Sequence, residues 1–146
     1  MAAVLKMFNS GVHEAYQAGI HWDAANNLYM CLMTAYTYDE TDATYTQVVI
    51  DHTEHTTANG YTVGGVVAAT PTHGIAAGVV LFGTDPVVWT ATGALTARHA
   101  LCYDLSSKAL IFCIDLDGAG GNVTATDAAF TITNASGYFS VDTTPP

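Results

Sequence analysis

The run Asp51-His52-Thr53-Glu54-His55 is the first place in this chain to look for chemistry. A zinc-protease helix carries histidines at i and i+4 with a glutamate between them, so that one face holds both the ion and the base. Here the histidines stand at i and i+3, and the stretch 52–59 is polar and loop-like. It fits neither that motif nor its inverted form. A metal would need ligands from elsewhere in the fold, so a solvated loop is the simpler reading. His13, His21, His73 and His99 are isolated and read as ordinary surface or half-buried residues.

Asp115-Leu-Asp117-Gly-Ala-Gly-Gly-Asn122 opens like a calcium loop. Such a loop also needs an oxygen ligand at its fifth position and a glutamate at its twelfth. Those positions are Ala119 and Thr126, which leaves room for an irregular calcium site at most. A glycine-rich hairpin loop is the plainer reading. Its glycines are not a dinucleotide fingerprint, because no helix pattern follows, and no lysine completes a phosphate-cradling loop. None of the five serines lies in Gly-x-Ser-x-Gly. Cys31, Cys102 and Cys113 sit in apolar, strand-like runs and read as buried, reduced thiols. Arg98 is the sole arginine and falls inside an apolar run, 97–103. A half-buried guanidinium needs a carboxylate. Asp85 is the expected partner, in a structural ion pair. No catalytic pair, metal set or cofactor site emerges.

The elements that would position these groups are mostly strands. An apolar stripe of Val4, Leu5, Phe8, Val12, Ala15 and Tyr16 predicts a helix over 4–18, weakened by Gly11 and closed by Gly19. Residues 28–38 are apolar and aromatic without alternation, as in a strand buried on both faces. Residues 44–51 fit either a short strand or a helical turn. Pro71–Gly74 reads as a turn. Strands follow over 66–70, 77–82, 87–91, 96–104, 109–116, 128–133 and 137–141, with a hairpin connection at 105–108. About eight short strands split by turn signals predict an all-β fold, an antiparallel β-sandwich or barrel with a short N-terminal helix. A single domain is expected over 1–146: helix 4–18, β-domain 27–141, polar tail 142–146.

Composition narrows the function. Of 146 residues half are hydrophobic and 11% charged, with three Lys+Arg against thirteen Asp+Glu, a net charge of −10. Disorder would need low hydrophobicity as well. Phosphate backbones require clustered Lys and Arg, so nucleic acid is not an expected partner. An anionic membrane surface would repel the chain. No apolar run reaches the roughly 20 residues that span a bilayer. No secretory leader is read at the N-terminus, and the odd cysteine count suits a reducing cytoplasm. So few charges suggest apolar surface covered by neighbours in an oligomer. Leu5, Phe8, Val12, Tyr16, Tyr36 and Tyr38 are interface candidates, with core packing as the alternative for each.

The order of segments resembles small virion proteins of tailed bacteriophages. The resemblance lies in Lys6-Met-Phe8-Asn-Ser10-Gly11, residues 20–23, residues 28–38, Gly60-Tyr-Thr-Val-Gly-Gly65, Val88-Trp89-Thr90, Leu95-Thr-Ala-Arg98-His-Ala-Leu-Cys-Tyr103-Asp104, residues 110–115, Phe130-Thr-Ile-Thr133 and residues 134–137. It departs in residues 78–86, which carry fewer acids, in the link 71–74, and in the glycine content after Asp115. The resemblance implies a virion structural protein without enzymatic activity or cofactor. Within that family a capsid decoration (cement) protein is the leading expectation. It would be made in the host cytoplasm and bind the major capsid protein or other virion proteins outside the assembled head. A neck, tail or fibre component is the alternative. A glycan hydrolase is a third class, disfavoured because no acid–base pair stands out.

Overall fold

The computed structural model describes residues 3–16, 27–76, 79–133 and 139–142. Among them the chain is all-β, with thirteen short strands and two short helices. β1 (Val4–Met7) leads into α1 (Asn9–Tyr16), followed by β2 (Leu28–Ala35), α2 (Tyr45–Asp51) and β3 (Thr53–Glu54). Then come β4 (Val66–Val67), β5 (Thr72–Ala76), β6 (Val79–Gly83), β7 (Val87–Thr90), β8 (Ala94–Ala97) and β9 (His99–Asp104). β10 (Leu110–Asp115), β11 (Val123–Thr126), β12 (Ala129–Ile132) and β13 (Phe139–Asp142) complete the order.

A six-stranded antiparallel sheet, β1-β10-β9-β2-β3 with β4 also paired to β2, forms the centre. Both faces of its inner strands β2, β9 and β10 are largely buried. Leu28, Met30 and Leu32 of β2 join Ala100 and Cys102 of β9 in one core. Cys31, Met33, Leu101 and Tyr103 belong to a second. This two-sided burial is why 28–38 shows no polar alternation. Val87, Trp89, Leu95, Phe130 and Ile132 close the first core. Val48 of α2, Phe8 and Tyr36 close the second.

The pairings from β7 to β12 are nested. β9 pairs β10, β8 pairs β11 and β7 pairs β12. Residues 87–104 and 110–132 are thus the arms of one long hairpin with its tip at 105–108. The tip half lies in the central sheet. The base half forms two ribbons that cover the first core. The first arm changes layer at Arg98 and the second after Asp115, the kind of bend by which strands switch sheets at a sandwich corner. β13, β6 and β5 form a separate three-stranded sheet.

Three expectations are corrected. The helix over 4–18 is a strand and then a helix, because β1 pairs with β10, from Val4 opposite Asp115 to Met7 opposite Phe112. The same apolar spacing serves a strand end and a helix start, and the open edge of β10 decides between them. Gly11 belongs in α1 because a Cβ there would lie 2.4 Å from the Ile111 carbonyl oxygen. The expected turn at Pro71–Gly74 is largely the start of β5, which pairs with β6 from Thr72 opposite Gly83. The run 96–104 is two strands broken at Arg98 rather than one. Residues 44–51 resolve to a helix whose N-cap, Thr44, accepts the Gln47 amide through its hydroxyl at 3.3 Å. Residues 17–26, 134–138 and 143–146, with the parts of the resemblance and of the tail that fall on them, lie outside the described residues.

Candidate functional site

Glu54, at the edge of the central sheet, ties the two cores together. β3 sets it opposite Met33. Its Oε1 accepts from the Tyr61 hydroxyl at 2.5 Å and the Gly64 amide at 2.7 Å, and its Oε2 accepts from the Tyr45 hydroxyl at 2.6 Å. Tyr61 belongs to the first core and Tyr45 packs against the second. The Tyr61 oxygen also accepts the Leu32 amide at 3.0 Å. Tyr103 donates to the Gly64 carbonyl at 2.8 Å, and its ring stacks on Tyr45 at 4.3 Å and 9°. The backbone reaches this position through Gly64 and Gly65, with φ +93° and +75°. At Gly65 a Cβ would lie 1.9 Å from the Met30 carbonyl oxygen. Burial, and then the bond to Glu54, raise the pKa of the Tyr45 hydroxyl well above its ordinary value. Burial does the same to Tyr61. All the donors to Glu54 are therefore neutral, and both carboxylate oxygens are engaged within the fold.

The neighbouring histidines diverge. His52 meets the edge of Tyr36 at 4.7 Å. His55 is buried, with Nδ1 2.7 Å from the Thr56 carbonyl oxygen and its ring 5.2 Å from that of Tyr61. Among the described residues no group of three or more His, Cys, Asp and Glu side chains is placed to hold a metal ion.

The second polar cluster sits at the sandwich corner. Arg98 is partly buried, and its guanidinium donates to Asp115 Oδ2 at 2.9 Å and to the Gly121 carbonyl at 3.0 Å. The expected partner Asp85 instead accepts the Thr70 hydroxyl at 2.6 Å, which corrects that pairing. The register explains the choice: β10 places Asp115 opposite His99, next to Arg98 in the chain. Asp115 Oδ1 accepts the Gly118 amide and Asp117 Oδ2 the Gly121 amide, at 2.9 and 2.8 Å. The loop that resembled a calcium site is thus organised around a guanidinium. Burial alone would raise the pKa of Asp115. The Gly118 amide and the Arg98 charge outweigh it and hold the carboxyl below its ordinary range.

Asp104, fully buried, holds the hairpin tip. Its Oδ1 accepts the Ser106 and Ser107 amides, each at 2.9 Å, and its Oδ2 accepts Asn27 Nδ2 at 2.5 Å. The two lysines lie over aromatic rings, Lys6 Nζ 5.0 Å from the Tyr38 centroid and Lys108 Nζ 5.7 Å from that of Tyr103.

The interface candidates separate. Phe8 and Tyr36 are core residues, and the Tyr36 hydroxyl donates to Asp42 at 2.7 Å. Leu5 packs against the first core. Tyr38 is half-buried, and its hydroxyl donates to the Met7 carbonyl. Val12 is surface, 42% exposed. The Tyr16 side chain lies outside the described ones.

A surface that sequence reading passed over is the outer side of the two ribbons. On β7 and β12 the buried positions Val87, Trp89, Phe130 and Ile132 alternate with outward Val88, Thr90, Ala129 and Thr131. On β8 and β11 the outward positions are Ala94, Thr96, Thr124 and Thr126. None of these is ionisable. The alternation of 128–133 was the signal for half of this face; β11 carries too few large apolar residues to give one. Comparison of the chain with protein-family models, with curated proteins and with solved structures finds no match.

Proposed function

We propose that this protein is a structural part of a tailed-bacteriophage virion, a capsid decoration (cement) protein that binds the outside of the assembled head and stabilises it. The observation that carries this reading is where the reactive side chains go. Glu54, Arg98, Asp104 and Asp115 are all engaged in holding turns and layers. What remains outward on the ribbons is a plain surface of threonine, alanine and valine. Such a molecule acts by fitting against other proteins. In this reading its partners are the major capsid protein and further copies of itself. Binding only the assembled state stabilises that state by mass action. The ordered resemblance to small virion proteins supports the same placement.

The test compares particles with and without the protein. Heads that lack it should release DNA at a lower temperature or after milder osmotic shock. Equal stability of the two populations would overturn the cement role. Copy number separates the alternative: a stoichiometry matching the shell subunit fits cement, whereas a few copies at one vertex fit a neck, tail or fibre part.

A further inference from the structure

We propose that in mild acid the folded chain cuts itself at the Asp85–Pro86 bond, between β6 and β7, and that the two pieces stay assembled. The virion reading neither requires this reaction nor falls with it.

Asp85–Pro86 is the one Asp–Pro bond in the sequence. Proline makes it a tertiary amide, whose nitrogen accepts a proton and leaves more readily than that of an ordinary peptide. The fold converges on this bond. The Thr84 hydroxyl donates to the Asp85 carbonyl oxygen at 2.8 Å, where negative charge develops once the carbonyl is attacked. The Thr70 hydroxyl holds Asp85 Oδ2 at 2.6 Å and leaves Oδ1 to attack. The Asp85 amide donates to the Ala69 carbonyl at 2.9 Å, and Val87, just beyond Pro86, is buried in the first core. Both sides of the bond are therefore anchored, which favours a reaction between neighbouring groups. Thr70 takes φ +50°, a left-handed backbone that a β-branched residue rarely adopts. Thr84 is buried, whereas Asp85 and Pro86 are exposed, so water reaches the bond.

Asp85 Oδ1 bonds to the carbon of its own main-chain carbonyl and closes a five-membered anhydride. The carbon–nitrogen bond to Pro86 breaks. The carboxyl proton passes to the Pro86 nitrogen, which leaves as a secondary amine. Water then opens the anhydride, and residue 85 ends as an aspartic acid with a free terminal carboxyl. One water is consumed and nothing is oxidised. Strands of 1–85 remain paired with strands of 86–146, β1 with β10, β2 with β9 and β6 with β13.

The test incubates the full chain at about pH 4, where an ordinary aspartate is partly protonated, and reads intact masses after denaturation. Pieces 1–85 and 86–146 should appear, while the undenatured particle keeps its size. The same acid with urea should slow cutting by at least about tenfold, because the anchored geometry is lost. Thr84→Val should slow it comparably, and Asp85→Asn should abolish it. Should the variants misfold, hydroxylamine added to the unaltered protein replaces them: it should trap the anhydride as a hydroxamate at the end of piece 1–85. A chain that stays whole overturns the inference. So does cutting at another bond, an equal rate in urea, persistence in Asp85→Asn, an unchanged rate in Thr84→Val, no trapped hydroxamate, or pieces that part without denaturant.

Discussion

The Glu54 knot and the Arg98 corner solve the same problem in opposite ways. Each holds a carboxylate at a margin of the central sheet, Glu54 on its edge strand and Asp115 at the end of β10. Glu54 is held by two phenolic hydroxyls and an amide, all neutral, wedged between two cores. Asp115 is held by a guanidinium and an amide at a partly exposed loop. Neutral donors in a buried setting owe little to salt, and removing their acceptor strands buried hydroxyls. A partly exposed ion pair is screened, so its contribution is small and depends on ionic strength.

The largest effect should come from the backbone that delivers Gly64 to Glu54. Gly65→Ala sets a Cβ against the Met30 carbonyl at a left-handed residue and should cost more than about 3 kcal/mol, read as failure to fold or a steep loss of denaturant midpoint. Next, Glu54→Ala should cost about 2–4 kcal/mol in chemical denaturation, while Glu54→Gln, which keeps one oxygen, costs roughly half of that. Third, Arg98→Ala should cost about 1 kcal/mol, and that cost should shrink in high salt whereas the Glu54→Ala cost does not. If both costs respond alike to salt, the distinction between the two clamps is wrong.

Acid titration sharpens the contrast. Burial lowers the pKa of His99, whose Nδ1 has no hydrogen-bond partner among the described residues. A histidine lowered on folding contributes fully above its unfolded value of about 6.5, and the contribution fades as pH falls through the folded value. Asp115 is also lowered, so its contribution persists to more acid pH and fades only below the ordinary aspartate value of about 3.9. Thermal melts should show two successive declines. His99→Leu should flatten the first, and Arg98→Ala should reduce the second. The smallest effect concerns the thiols: burial pushes Cys113 up to about 12, so the native protein should resist alkylation at neutral pH and react once denatured.

Sequence and structure agree where the physics is local. The continuous apolar run of β2 announced its two buried faces, and the hairpin tip at 105–108 was legible from its turn residues. Disagreement begins where register decides. Arg98 visibly required an acid, yet which one follows from β10 lying opposite β9 rather than from anything near Asp85. Val4–Met7 is a strand because β10 offers an edge more than 100 residues away. Glu54 stood in the first run singled out for chemistry, but its role as a clamp was not legible there; the signal for that role is the glycine pair after Tyr61, where the backbone takes positive φ and passes close to Met30.

The nested pairing of 87–132 also bears on how the chain reaches this state. Once the Asp104 turn closes β9 on β10, β11 needs only the short 116–122 loop to find β8, and β12 then meets β7 across a shorter gap still. Every step shuts a small loop rather than a 40-residue one, and closure cost grows with loop length. This half should therefore zip from its tip in quick succession, and weakening the Asp104 turn should slow refolding more than it speeds unfolding.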